Sequence, residues 1–203
     1  MPAPEYQPRS DLVKEAEAKA GNYEWSTAAR LYSQALGITE TSENSRIAEL
    51  LAKSLYKAAR QSKTREEFDR RMGEAKEAYE NASQRYSKTS QQGHSTRMLA
   101  RARFAEFWLA DDSNSKRNII AESARLAEES AKSFEAEADT EGQAMSHRDL
   151  LDLLPEVQIF AVDYETKKDA FMNFMAIARK ESALQRQYLR GDDRGDQALT
   201  HIF

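Results

Sequence analysis

Apolar residues recur along most of the chain at the three- and four-residue spacing of a helix. Between Ile47 and Ala58 they fall on one helical stripe, and no stretch alternates apolar and polar residues with the period of two that a strand requires. Proline is absent from residue 9 to residue 154, so long helices are permitted almost throughout. The pattern predicts an all-α protein of eight helices.

Polar breaks divide the predicted helices into four antiparallel hairpins. We predict a flexible leader over 1–9, a single helical-repeat domain over 10–190 and a polar tail over 191–203. The hairpins cover, in order, about 10–37, 44–88, 94–138 and 140–189. Short connections of this kind join neighbouring helices, so each hairpin is expected to pack against the next.

Individual residues mark where the predicted helices begin and end. Ser10 is expected to cap the first helix, and Gly21 to end it in the left-handed conformation that glycine adopts easily. Thr64 and Glu67 resemble a capping box that opens the fourth helix. The other expected boundaries are Gly37, the segment 38–45 with Ser42 or Asn44 as a cap, the segments 87–95 and 111–115, the break at 140–142, and Pro155 at the end of the seventh helix.

The second helices of the first two hairpins share a small–aromatic–small pattern. The two complete copies are Ala28, Tyr32, Ala35 and Ala75, Tyr79, Ala82, and a weaker third copy is Ser130, Phe134, Glu137. The two tyrosines are 47 residues apart. Small residues let helices approach closely while the aromatic ring fills the space toward the next hairpin, which is typical of stacked helical repeats.

This pattern resembles the second-helix signature of the tetratricopeptide-repeat family, and the Gly21-Asn22-Tyr23 turn looks like that family's turn. The longer hairpins are similar to those of the soluble NSF attachment proteins. The first hairpin also resembles a microtubule-interacting-and-transport domain through its Gly-Asn-Tyr-Glu turn and the residues Leu31, Tyr32, Ala35 and Leu36. Over about 10–87, where it is clearest, the resemblance implies a right-handed solenoid that binds peptides, helices or other proteins without catalysis.

Composition narrows the functional classes. Of the 203 residues, 40% are apolar and 32% are charged, and the mean hydropathy of -0.81 suits an elongated helical protein. The net charge of -4 comes from interspersed charges of both signs, which argues against a nucleic-acid partner. Cysteine is absent, which excludes disulfides, and there is neither a membrane-spanning run nor a secretory signal, so a cytoplasmic location is expected.

No catalytic or metal-binding pattern is complete. The run His147-Arg148-Asp149 spells the start of a kinase catalytic loop, but residue 154, where that loop has asparagine, is leucine. The histidines at 94, 147 and 201 stand alone, and the acidic pairs at 111–112 and 128–129 are interpreted as solvated surface. We therefore expect no enzyme activity, no metal and no cofactor.

Residues of the third and fifth helices form the candidate partner-binding site. Five are basic and two are aromatic: Lys53, Lys57, Arg60, Arg97, Arg101, Phe104 and Trp108. In the tetratricopeptide-like class the first helix of each hairpin lines the concave surface, so the resemblance implies that these side chains converge there. A basic patch beside aromatic rings would attract an acidic peptide or a carboxylate terminus. The alternatives are an ordinary solvated face for the basic residues and a fifth helix packed on several sides.

Two functions are consistent with the sequence. The first is a protein-interaction adaptor or scaffold that presents a concave groove to a peptide or helix, with an acidic segment preferred. The alternative is a structural module that forms a homo-oligomer through its C-terminal helices. The last helix carries Phe171, Phe174, Met175 and Ile177, and repeat arrays need a polar outer end to stay soluble.

Overall fold

A computed structural model describes residues 8–38 and 43–188, with side chains up to residue 180. Its regular structure is α-helical, and no strand occurs in these ranges. The helices are α1 (Arg9–Gly21), α2 (Trp25–Leu36), α3 (Asn44–Arg60), α4 (Arg65–Lys88), α5 (Gln92–Leu109), α6 (Ser113–Ala136), α7 (Thr140–Phe160) and α8 (Tyr164–Tyr188). The all-α prediction is confirmed, while most of the predicted leader, the candidate cap Ser42 and the tail at 191–203 lie outside the described residues.

Each helix packs against the helices before and after it in the sequence. The contacts between successive hairpins are as extensive as those within a hairpin, and α5 also touches α7. A hairpin in such an array buries its apolar faces by sharing them with its neighbours.

The core consists of two clusters of apolar side chains. The smaller lies among α1, α2 and α3 and contains Leu12, Ala16, Ala28, Leu31, Tyr32, Ala35 and Ile47. The larger runs from α3 to α7, and Leu36 packs against both. Both complete copies of the small–aromatic–small pattern are buried, as are Ser130 and Phe134 of the third, whereas Glu137 is exposed beyond the end of α6.

The ends of α1 differ from the prediction. The helix begins at Arg9 because the Pro8 carbonyl accepts the N–H of Leu12, so Ser10 lies inside the first turn and does not cap it. At the other end the left-handed residue is Tyr23, with φ 61°, and not Gly21. The left-handed residue of the turn is therefore two positions later than expected. At this turn, Gln61 Nε2 donates a 3.2 Å hydrogen bond to the Tyr23 carbonyl.

Of the later boundaries, Gly37 is confirmed because it directly follows α2, and Thr64 is confirmed as a cap. Asn44 is the first residue of α3, with Glu43 in the capping position, and α6 begins at Ser113, inside the break expected at 111–115. Thr64 Oγ1 accepts the Glu67 N–H at 3.2 Å, as a capping residue does. In contrast, α5 begins at Gln92, inside the break expected at 87–95. The turn between α6 and α7 covers 137–139, where Asp139 caps α7 by accepting the Gly142 N–H at 2.9 Å. The break expected at 140–142 is wrong, because those residues form the first turn of α7.

Pro155 lies inside α7, although it was expected to end that helix. Proline removes one backbone hydrogen bond from a helix interior. Contacts on either side offset this loss, since Leu153 and Leu154 are buried and Phe160 packs edge-to-face on Phe107 with 5.3 Å between ring centroids. The Phe160 carbonyl also accepts a 2.9 Å hydrogen bond from Arg117 Nε. Tertiary packing thus extends α7 past its proline.

Phe134 of α6 joins α5 and α7. Its ring lies against Gly93 and Gly142, where an added Cβ would be 2.8 Å from the ring at Gly93 and would overlap it at Gly142. Beside it, Ser130 Oγ donates to the Gly93 carbonyl at 2.8 Å and shares a 2.9 Å hydrogen bond with the Ser146 hydroxyl. The two glycines therefore let the first turns of α5 and α7 approach α6 closely.

Candidate interaction site

Two groups of charged side chains occupy α3, α5 and α7. The first, which we call the basic face, is exposed on α3 and consists of Arg46, Lys53, Lys57 and Arg60. The second, which we call the ion cluster, consists of Glu49, Arg97, Arg101, Asp149 and Asp152, and all of these are largely buried except Asp152, whose side chain is 60% exposed. The two groups meet on α3, because Glu49 lies one turn before Lys53.

The ion cluster links three helices. Arg97 donates from Nη1 to Glu49 Oε1 of α3 at 2.6 Å, and from Nε to Asp149 Oδ2 of α7 at 2.9 Å. Arg101, one turn later on α5, pairs with Asp149 at 3.5 Å and with Asp152 at 3.1 Å. The arginine side chains are only 11% and 8% exposed. Two nearly buried cations therefore face three carboxylates.

The partners in the ion cluster keep one another charged. Burial by itself would raise the pKa of Glu49. Arg97 and the hydrogen bond from the Tyr86 hydroxyl lower it by more than burial raises it, so the pKa lies below its ordinary 4.5. Burial opposes the charge of Arg97, but Asp149 and Glu49 raise its pKa above the ordinary value. Tyr86 donates a 2.6 Å hydrogen bond to Glu49 Oε2, and burial together with that carboxylate raises the pKa of Tyr86.

Aromatic rings surround Arg101. Its guanidinium carbon lies 5.1 Å from the ring centroid of Tyr56 and 5.7 Å from that of Phe104, which is within cation–π range. The ring centroid of Tyr79 lies 5.9 Å from the same carbon, and burial raises the pKa of Tyr79 to about 12. Phe104 itself is 3% exposed, so it belongs to the core around the ion cluster.

The basic face of α3 has no carboxylate partner. Within the described ranges, none of its four side chains forms an ion pair with an acidic residue. Arg60 stacks over the ring of Trp108 at 4.9 Å. Burial and the neighbouring charges of Lys57 and Arg97 lower the pKa of Lys53. A cation whose pKa is lowered by surrounding cations is stabilised when an anion binds beside it.

The predicted site residues separate into exposed and buried ones. Those exposed on one side of α3 are Lys53, Lys57 and Arg60, and those held inside are Arg97, Arg101 and Phe104. Trp108 is partly buried between the two sets, and its Nε1 has no hydrogen-bond partner. The five basic residues therefore do not form one set: Lys53, Lys57 and Arg60 are exposed on α3, whereas carboxylates of α3 and α7 pair with the two arginines of α5. That the three exposed residues bind a partner stays a prediction.

The acidic half of the ion cluster was not predicted, and neither was Arg46. Asp149 belongs to the run that spells a kinase-like triplet, and in the structure it binds Arg97. One signal in the sequence was available. Arg97 lies 48 residues after Glu49 and 48 before Met145, and it contacts both, with Nη1 3.4 Å from Met145 Sδ. Aligning α3, α5 and α7 at that interval places these residues in register.

The surface also carries two shallow grooves. One of about 390 Å³ lies between α2, α3 and α4 with Ala29, Leu51 and Leu55 on its floor, on the side of α3 away from the basic face. The other, of about 240 Å³, lies between α6, α7 and α8. Across residues 8–38 and 43–188, no group of three or more histidine or acidic side chains is placed to hold a metal ion. Over the same residues, no helix combines the length and apolar character needed to cross a membrane.

Fold and site together define an all-α protein whose helices pack in chain order, with an ion cluster that links α3, α5 and α7 and an exposed basic face beside it on α3. No protein-family model, curated protein or solved structure matches the chain.

Proposed function

We propose that this protein is a binding scaffold that holds an acidic segment of a partner protein along the basic face of α3. The observation that carries the proposal is a row of four exposed basic side chains that form no ion pair with a described carboxylate, although Glu49 lies close enough to raise the pKa of Lys53, on a protein of net charge -4. The arginines of the ion cluster have carboxylate partners, whereas the basic face is exposed and open to an anion. Complementary charge of this kind steers a partner and fixes its register.

We further propose that the chain is an irregular right-handed solenoid of four hairpins, similar to tetratricopeptide arrays. Two buried small–aromatic–small patterns support a repeat, and so do the contacts of Arg97 with residues 48 positions away in both directions. Proteins of that class bind through a preformed surface. We accordingly propose an adaptor role without enzymatic activity, in a cytoplasmic setting.

The length of the basic face suits a short acidic segment. From Arg46 to Arg60 the helix rises about 21 Å at about 1.5 Å per residue. An extended segment of about six residues covers that distance at about 3.4 Å per residue. Trp108 lies under Arg60 at one end of the face and offers apolar surface there. A carboxylate beside Lys53 would also return its lowered pKa toward the ordinary value.

The test is peptide binding to the purified full chain. Nine-residue peptides are selected by phage display, labelled with fluorescein and titrated by fluorescence anisotropy. We expect selected peptides rich in Asp and Glu. The double variant Lys53→Glu with Lys57→Glu should weaken their binding about tenfold or more, because two attractive contacts become repulsive.

A matched double variant separates the basic face from general charge. Lys14→Glu with Lys132→Glu makes the same change in net charge at exposed sites on α1 and α6. This control should bind nearly as well as the wild type, and both doubles should melt at the wild-type temperature. Equal weakening by the two doubles, or selected peptides without acidic enrichment, would overturn the proposal.

A further inference from the structure

The exposed large apolar side chains are concentrated at one end of the molecule. Ile159, Val162, Tyr164, Phe171 and Met172 are between 47% and 74% exposed, at the end of α7, in the connection that follows it and on the first half of α8. In the rest of the described chain, only Tyr23 and Leu99 are comparable. Contiguous exposed apolar surface marks an interaction site more often than isolated apolar residues do.

Only one side of α8 packs against the protein. Ala170 is buried there, and Phe174 and Ile177 pack against the larger core. Away from that side, α8 carries three adjacent rows of residues seven apart, in which all members but Met175 and Ala178 are exposed and those two are half-buried. The rows are Tyr164, Phe171 and Ala178, then Lys168 and Met175, then Glu165, Met172 and Arg179. Residues at seven-residue intervals stay on one face of a helix, and two such apolar rows form the seam of a coiled coil.

We propose that α8 pairs with α8 of a second copy of this chain as an antiparallel coiled coil with its twofold axis at Met172. The opposite charges at the two ends of the third row favour the antiparallel orientation. When that row is reversed about Met172, each Glu165, which pairs with Lys168 of its own helix at 3.2 Å, also faces the partner's Arg179. A parallel pair would instead set Lys168 against the partner's Lys168 within the seam, and like charges in contact oppose pairing.

Along the seam the facing residues are centred on Asn173, one residue after the centre of the third row, because the seam and the third row lie on different sides of the helix. Phe171 meets the partner's Met175, which gives a sulfur–aromatic contact on each side of the axis. Lys168 meets the partner's Ala178, whose small side chain leaves room for the lysine stem to extend toward water. Because the arrangement is isologous, every contact occurs twice and the assembly closes as a dimer. It leaves the basic face of α3 free and does not depend on the proposed binding function.

The first test is the mass of the full chain in solution. Size-exclusion chromatography with light scattering should give a dimer for the wild type and a monomer for Phe171→Glu. Leu99→Glu is the matched control, because Leu99 is a similarly exposed apolar residue on α5, at 39% against 47% for Phe171. It should remain a dimer. Circular dichroism checks that both variants are as helical as the wild type.

A charge swap tests the orientation without removing apolar surface. Glu165→Arg and Arg179→Glu should each raise the dimer dissociation constant about tenfold or more, since each creates two like-charge contacts. The double variant restores both ion pairs and should dimerise nearly as well as the wild type. A parallel pair does not bring these positions together, so a double variant that stays monomeric would overturn the antiparallel arrangement.

Crosslinking locates the twofold axis. The chain has no cysteine, so Met172→Cys carries a single thiol, and a short bis-maleimide should convert it to covalent dimer in high yield. Ser87→Cys, exposed on α4, should give only collisional product. A monomeric wild type, a dimer that survives Phe171→Glu, or equal crosslinking at both sites would overturn the proposal. The Lys53→Glu, Lys57→Glu variant should dimerise normally, so failure here and failure of peptide binding are distinguishable.

Discussion

At the residue scale, Arg97 shows how a buried charge is held. Its guanidinium gives up most of its water and receives Glu49 and Asp149 in return, at 2.6 and 2.9 Å. Removing one member of such a cluster leaves the other charges buried without compensation. Arg125 also pairs with two carboxylates, Glu122 and Glu129, but its side chain is 58% exposed. The buried pairs of Arg97 should therefore affect stability more than the exposed pairs of Arg125.

We predict that Arg97→Ala lowers the free energy of unfolding by about 3–5 kcal/mol. The cost arises because Glu49 is left in the interior without its cation and Asp149 keeps only its 3.5 Å pairing with Arg101. Arg125→Ala, the matched control, should leave the unfolding free energy nearly unchanged, because water solvates the groups that it frees. Urea unfolding followed by circular dichroism measures both variants. Similar small effects at the two sites would show that the ion cluster is not a buried structural element.

Glu49 makes this stability depend on pH. Its pKa in the folded protein is lowered below the ordinary 4.5, so its contribution is present above that pH and is lost as the pH falls through the folded pKa. We expect the wild type to exceed Glu49→Gln in stability at neutral pH, and the difference to shrink as the pH drops below 4.5. Urea titrations across this pH range provide the measurement. A difference independent of pH would contradict the assignment of charge to Glu49.

At the scale of the element, small residues decide how closely helices approach. Gly142 and Gly93 accept the ring of Phe134, whereas Gly73 in the middle of α4 has nothing within 4 Å of where a Cβ would lie. An added methyl group therefore meets a packed ring at one position and open space at the other. Overpacking a core and relieving the flexibility of a helical glycine have opposite effects on stability.

We predict that Gly142→Ala lowers the free energy of unfolding by about 1–3 kcal/mol through overlap with Phe134. Gly73→Ala should raise it by about 0.5–1 kcal/mol, because alanine restricts the unfolded chain and favours the helix. Thermal and urea unfolding of the two single variants and the wild type compare the effects. Stabilisation by Gly142→Ala would mean that the joint between α6 and α7 is looser than the structure indicates.

At the scale of the whole molecule, the two core clusters divide the chain unequally. The smaller holds α1 and α2 against α3, and the larger holds α3 to α7 together with the packed side of α8. The partly buried side chain of Leu36 packs against both clusters. Arrays of neighbouring elements are stabilised locally, so their parts open with different free energies.

We predict that α1 and α2 open at a lower free energy than α4 and α5. Native-state hydrogen exchange with mass spectrometry should show earlier labelling of peptides from α1 and α2 than of peptides around Tyr79. Tyr32→Ala, which removes the largest side chain of the smaller cluster, should speed exchange in α1 and α2 and change α4 and α5 little. Uniform exchange in all four helices would indicate one cooperative unit instead.

Local patterns account for the helices and for their buried faces. The apolar stripes, the capping pair Thr64–Glu67 and the two alanine–tyrosine–alanine patterns depend on neighbours within a few residues, and the structure confirms each of them. Two of the helix ends that were placed wrongly involve distant partners. Tyr23 is held by Gln61, and α7 continues past Pro155 because Phe160 packs on Phe107.

The sequence by itself determined that this is an all-α protein with a repeated small–aromatic–small pattern and a basic side on α3. Only the tertiary structure decided which basic residues are free. Lys53 and Arg101 look equivalent in a list of charges, but Arg101 is paired with carboxylates about 50 residues away on α7, and Lys53 is not. Charge is a property of each residue, whereas its neutralisation depends on which helices the fold brings together.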